Sequence, residues 1–144
     1  MKLKPYFLGA LLPALLALSA PASASAAAQA DRAAQIQRGH TAADISRFLS
    51  AFYGDRGPTA HSRENEVSQV LKDKQTVNKE VDVLLCAQNE PQGIGVGPVT
   101  VAQSAGVGWA TVTTHWGADD TDTFTAYVRL DSRPIRLDDV ICAG

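Results

Sequence analysis

Two helical patterns followed by four strand-like segments predict an α+β fold: two N-terminal helices packed on a four-stranded antiparallel meander. Three observations carry this. Ile45, Phe48, Leu49 and Phe52 fall at helical spacing and form one apolar stripe. Phe124, Ala126, Val128 and Leu130 alternate with Thr123, Thr125, Tyr127 and Arg129, the period of a half-buried strand. The strand-like segments are joined by links too short for a parallel crossover, so successive strands must run antiparallel.

The chain opens with a different kind of segment. Lys2 and Lys4 precede an apolar stretch over Tyr6–Ala20, and small residues follow with Ala-x-Ala signals ending at Ala24, Ala26 and Ala28. Basic, apolar and small-residue regions in that order form the secretory pattern. The apolar stretch is short for a bilayer, which takes roughly 20 residues. No cysteine sits near the cut to carry a lipid. The expected organisation is a signal peptide over 1–26, a tail or frayed helix over 27–40, and a single α+β domain over 41–144. The mature chain is then secreted, periplasmic or extracellular.

Cutting after Ala26 leaves 118 of the 144 residues, enough for one domain with a true core. Losing Lys2 and Lys4 leaves 11 basic against 15 acidic residues, a net charge near −4 with histidine neutral. Nucleic acid and anionic lipid call for clustered Lys and Arg, and no basic run is present. Nothing in the mature chain is apolar for long enough to span a membrane. Cys86 and Cys142, in an exported chain, are expected to pair with each other. Two free buried thiols and an intermolecular bridge are the alternatives.

Each element follows from local signals. Thr41 with Asp44 three residues on forms a capping-box pattern, and Gly54 with Gly57-Pro58 ends that helix. A weaker helix is expected from Ser62 to Lys74, burying Val67, Val70 and Leu71. Val81–Ala87 reads as a short strand or extended segment and Gln88–Gly97 as a loop, because three glycines and Pro91 lie in it. Strands are expected at Pro98–Gln103, Val107–Trp116, Thr123–Leu130 and Ile135–Cys142. A hairpin turning through Gly117–Asp122 sets Thr114 opposite Phe124 and Arg129 opposite Trp109. A bulge near Gly106-Val107-Gly108 accommodates Val107 on the polar face. That face then carries Trp109, Thr111, Thr113 and His115 beside Arg129, Tyr127, Thr125 and Thr123.

The stretch Asp82-Val83-Leu84-Leu85-Cys86-Ala87-Gln88-Asn89 and the ending Leu137-Asp138-Asp139-Val140-Ile141-Cys142 resemble a secreted bacterial branch of the nuclear-transport-factor-2-like cone fold, a domain of unknown function. The resemblance runs from about Ala42 to the C-terminus. It implies that the meander is curved and cone-like, and it implies no activity.

The chemistry-bearing residues are sparse. Asp119, Asp120 and Asp122 crowd one hairpin loop, but their spacing matches no calcium loop, and aspartate suits turns for its own reasons. Asp138-Asp139 reads as an exposed strand end. His40 and His61 read as solvated, and His115 shares the outer face. No nucleophile motif, phosphate loop or zinc spacing is present, and nothing calls for a cofactor or a metal. Two classes remain. One is a non-enzymatic exported module that binds a protein, peptide or envelope component through Trp109, His115, Tyr127 and Arg129. The other is a small-ligand carrier or small enzyme using the interior of the cone. Mass spectrometry of exported protein is expected to find the chain starting at Ser25, Ala27 or Gln29. A membrane-retained form that keeps Met1 overturns the leader assignment.

Overall fold

The computed structural model describes residues 22–143, and side chains for these except 22, 23 and 35–38. The basic and apolar parts of the expected leader, within residues 1–21, lie outside the described residues. The chain forms α1 (Ala22–Arg38), α2 (Ala42–Tyr53), α3 (Ala60–Asn65) and α4 (Gln69–Val77). Four strands follow: β1 (Gly93–Ala102), β2 (Val107–His115), β3 (Thr121–Arg129) and β4 (Leu137–Cys142). The strands pair in chain order, all antiparallel, as one open meander. Fold class and strand order are those the sequence predicts. Helix α1 spans the Ala-x-Ala positions and most of the 27–40 segment, with its side chains from Ala24 to Ala33 exposed.

Helix α2 forms where its capping box says it should. Thr41 Oγ1 accepts from the Asp44 N–H, and the Asp44 carboxylate accepts from the Thr41 N–H at 3.0 Å. The Thr41 hydroxyl also donates to the Asp44 carboxylate at 2.7 Å, and this bond, then that from the Thr41 N–H, holds the Asp44 carboxyl below the usual carboxylate range. Ile45, Leu49, Phe52 and Tyr53 are buried, and the Tyr53 ring meets Phe124 of β3 at 5.5 Å between centroids. The helix lies over β1 and β2. It comes close because position 108 has no side chain: a Cβ there would stand 2.5 Å from the Ile45 Cδ1. The inner sheet face supplies Ala110, Val112, Phe124, Ala126, Val128, Leu137 and Val140 to the same core.

The second expected helix is two helices. Ser68 starts a new one, its Oγ accepting from the Leu71 N–H, and Glu66–Ser68 runs alongside β4. The Ser68 N–H donates to the Leu137 carbonyl at 2.9 Å, and the Leu137 N–H donates to the Glu66 carbonyl at 2.8 Å. The Ser68 hydroxyl donates to the Asp138 carbonyl at 2.8 Å, and the Lys74 ammonium donates to the Val140 carbonyl at 2.8 Å. Helix geometry is given up where the edge of β4 needs partners. The restart leaves Val67 and Leu71 in the core but turns Val70 outward at 68 % exposure, against expectation.

Three further expectations are corrected. Val81–Ala87 is a tight turn, closed by the Asp82 N–H on the Ala87 carbonyl at 2.8 Å, with Cys86 at φ 52°. Its apolar run belongs to the core through Val83, Leu84, Leu85 and Ala87 without forming a strand. The glycine-rich stretch expected as a loop is the first half of β1. Ile94, Val96, Val99 and Val101 pack against the core, while Gly93 and Gly95 fall between them. The bulge lies between Val96 and Val99 rather than at Gly106–Gly108, where the ladder from Val107 onward is regular.

The disulfide joins the turn to the last strand, Cys86 to Cys142, with Cα atoms 5.6 Å apart and a sequence separation of 56. Closing a loop of that length stabilises the fold by about 4 kcal/mol in the chain-entropy model. Reduction is accordingly expected to lower the melting temperature by many degrees, and denatured, unreduced protein should offer no thiol to labelling. Two labelled thiols per chain refute the bond. A separate test addresses the joint before α2. Gly39 has φ +78°, and a Cβ there would lie 2.7 Å from the Leu130 carbonyl oxygen. Gly39→Ala should therefore cost roughly 1–3 kcal/mol in denaturant titration, and a loss under 0.5 kcal/mol contradicts the packing described.

Candidate functional site

The buried apolar residues of the strands lie on one side of the sheet, where α2 meets β1 and β2. The outer face is built by the strand positions alternating with the core residues. Trp109 and Tyr127 are cross-strand partners, their rings 6.1 Å apart and 31° from parallel. Both are half-buried. Thr100 lies beside Trp109 on β1, and Asp139 beside Tyr127 on β4, which completes one row across the sheet. The next row holds Thr111, Thr125 and Ile141, the last 53 % exposed.

The face is the expected one, but the register is shifted by two residues. Val112 faces Phe124, Ala110 faces Ala126 and Thr114 faces Asp122. The turn is tighter than expected, closed by the Trp116 N–H on the Asp120 carbonyl at 2.8 Å, so Thr121 and Asp122 join the ladder. Thr114 is fully buried, and its hydroxyl donates to the Asp122 carbonyl at 3.3 Å. As a result Arg129 faces Val107 and not Trp109, against expectation. Arg129 instead chelates Asp131 with two bonds of 3.1 Å. Its guanidinium is held above its ordinary range, and the Asp131 carboxyl below, by that pair of bonds.

The four residues singled out from sequence therefore do not form one cluster. Trp109 and Tyr127 touch, and Arg129 follows Tyr127 on the same face. His115 stands at the far end of β2 opposite Thr121, six residues along and about 20 Å from Trp109 at strand rise. Threonines fill the interval.

What the sequence reading did not find is the acidic border of the aromatic pair. A second irregularity, between Tyr127 and Val128, opens the ladder where Asp138 sits. Burial pushes the Asp138 carboxyl up; Arg129 opposes the shift, and Asp139 and Asp131 add to it. Asp139 is ion-paired with Lys74 at 3.3 Å. Asp138 has no ion pair among the described residues. The acidic Asp119–Asp122 loop does not converge: Asp122 belongs to β3, and among the described residues no three His, Cys, Asp or Glu side chains gather as a metal site would need. His40 is not simply solvated. Its Nε2 donates to the Ser132 carbonyl at 2.7 Å and fastens the chain before α2 to the β3–β4 connection.

No helix among the described residues is long and apolar enough to cross a membrane. No protein-family model, curated protein or solved structure matches this chain.

Proposed function

We propose that this chain is an exported, non-enzymatic binding module whose outer sheet face takes a protein or peptide of the cell exterior or envelope. The observation that supports it most is the Trp109–Tyr127 pair, two half-buried aromatic rings in contact on the face opposite the core. Large aromatic side chains dominate the energetics of binding surfaces because they offer much apolar area with little rotamer freedom to lose. The border favours a particular complement. Asp138 is unpaired, Asp139 shares its charge with Lys74, and Arg129 is already satisfied by Asp131. A basic side chain laid over the rings would meet ring faces and a free carboxylate at once. The helices-before-meander order is also what membership of the secreted cone branch calls for. An enzyme using the interior of the cone is less well supported, since Tyr53, Phe124, Val112 and Leu49 fill the space between α2 and the sheet.

The test replaces Trp109 and Tyr127 by alanine one at a time and measures stability alongside binding to a panel of Lys/Arg-rich and acidic extracellular peptides. The expected result is a stability loss under about 1 kcal/mol for each variant, with loss of binding to basic peptides that also weakens with added salt. Losses of about 3 kcal/mol with unchanged binding would place both rings in the core and end this reading.

A further inference from the structure

Away from the sheet face, the turn after α2 and the segment leading into β1 enclose a polar cleft of about 390 Å³, within the size range of small-molecule sites. Its walls carry Arg56, Arg63, Asp82, Gln88, Asn89 and Glu90. A second cleft of about 500 Å³ is also lined by Arg56 and Glu90.

The charges in the cleft are of two kinds. Arg63 and Asp82 are spent on each other: their ion pair is 2.6 Å long. Arg63 also donates to the Pro58 carbonyl, and Asp82 also accepts from the Leu84 N–H. They fix the wall and have little left to offer. Arg56 and Glu90 are the reverse. Both are exposed, and neither has an ion pair or side-chain hydrogen bond among the described residues. The amides of Gln88 and Asn89 are also unengaged there and can both donate and accept.

The walls are held in place without a ligand. Gly57, at φ +121°, donates its N–H to the Tyr53 carbonyl at 2.8 Å and rests against Leu85. The opposite wall is anchored by the closed Asp82–Ala87 turn and, through Cys86, by the disulfide. A preformed site loses less ordering entropy on binding. One buried group nearby lacks a partner. The Tyr53 hydroxyl is buried with no hydrogen bond, and it senses both Asp82 and Arg63; burial, then Asp82, pushes its ionisation upward, and Arg63 opposes.

The geometry points to this cleft as a binding site for a small zwitterion of the amino-acid type, its carboxylate on Arg56, its ammonium on Glu90 and its polar atoms on Gln88 and Asn89. An anion alone would leave Glu90 unmet and repelling, and a cation alone would do the same at Arg56. The site is separate from the Trp109–Tyr127 face, so either can fail without the other.

The experiment is an amide-resolved NMR titration of the oxidised protein with L-alanine and with alanylalanine, with acetate and ethylammonium as single-charge controls at matched ionic strength. At about 10 mM a site of millimolar affinity is mostly filled. Expected are saturable shifts confined to Arg56, Gly57, Asp82–Ala87 and Gln88–Gln92, with either zwitterion. Arg56→Ala and Glu90→Ala, both at exposed positions, should each weaken binding about fivefold, the scale of one exposed ion pair. No saturable shift at that concentration overturns the proposal. So does binding that both substitutions leave unchanged, or controls that bind as tightly as the zwitterions.

Discussion

A four-stranded sheet with one apolar face cannot leave that face in water, and here a single helix does most of the covering. Ile45, Leu49, Phe52 and Tyr53 of α2 are all but completely buried against β1, β2 and β3. At roughly 1.5–3 kcal/mol for each fully buried large apolar side chain, these four residues outweigh any polar contact in the fold. The other features are arranged around that layer. Gly108 admits the helix, the Thr41–Asp44 box fixes where it starts, and Gly54 and Gly57 end it so that the chain can turn toward the polar cleft. The Asp82–Ala87 turn lends its leucines to the same core, and it is through that packing that one wall of the cleft gains its rigidity.

The two layers and the assignment of faces were legible in the sequence, and the register was not. Alternation of apolar and polar side chains has a period of two. It therefore distinguishes the two faces sharply and is blind to a slip of two residues. The hairpin between β2 and β3 slipped by that amount. Trp109 remained on the outer face, but its neighbour became Tyr127 in place of Arg129. What sets the register is the backbone closure of Trp116 on Asp120, and no side-chain pattern announces it. The start of β1 was hidden for a related reason. Gly93, Gly95 and Gly97 have poor strand propensity and read as loop, yet their neighbours Ile94 and Val96 needed only the partner strand to pair.

The break between α3 and α4 was hidden because its cause lies 70 residues away. Locally, Ser62 to Lys74 has a serviceable helical pattern. The Leu137 N–H and the Leu137 and Asp138 carbonyls are what draw Glu66 and Ser68 out of a continuous helix. The polar cleft is invisible for the same reason. Arg56, Arg63, Asp82 and Glu90 are scattered over two connecting segments and α3, and only the packed turn brings them together. The acidic border of the aromatic pair, by contrast, was half visible: Asp138-Asp139 could be seen, while their placement beside Tyr127 depended on an irregularity in the ladder.

The two edges of the sheet are treated unequally, and the disulfide sharpens the difference. Cys142 is the last residue of β4, and it is bonded to a turn that sits in the core. A pull on the chain beyond Cys142 is therefore not delivered to the hydrogen bonds of β4 in sequence, as the peeling of a terminal strand would require. The load crosses the sulfur bridge and is shared by the Asp82–Ala87 turn and the leucines beneath it. Covalent anchoring at that point converts an unzipping geometry, in which ladder bonds fail one at a time, into a shearing one in which a packed unit must move whole. For a chain read as exported, that gives the last strand a mechanical protection that its six residues could not supply alone.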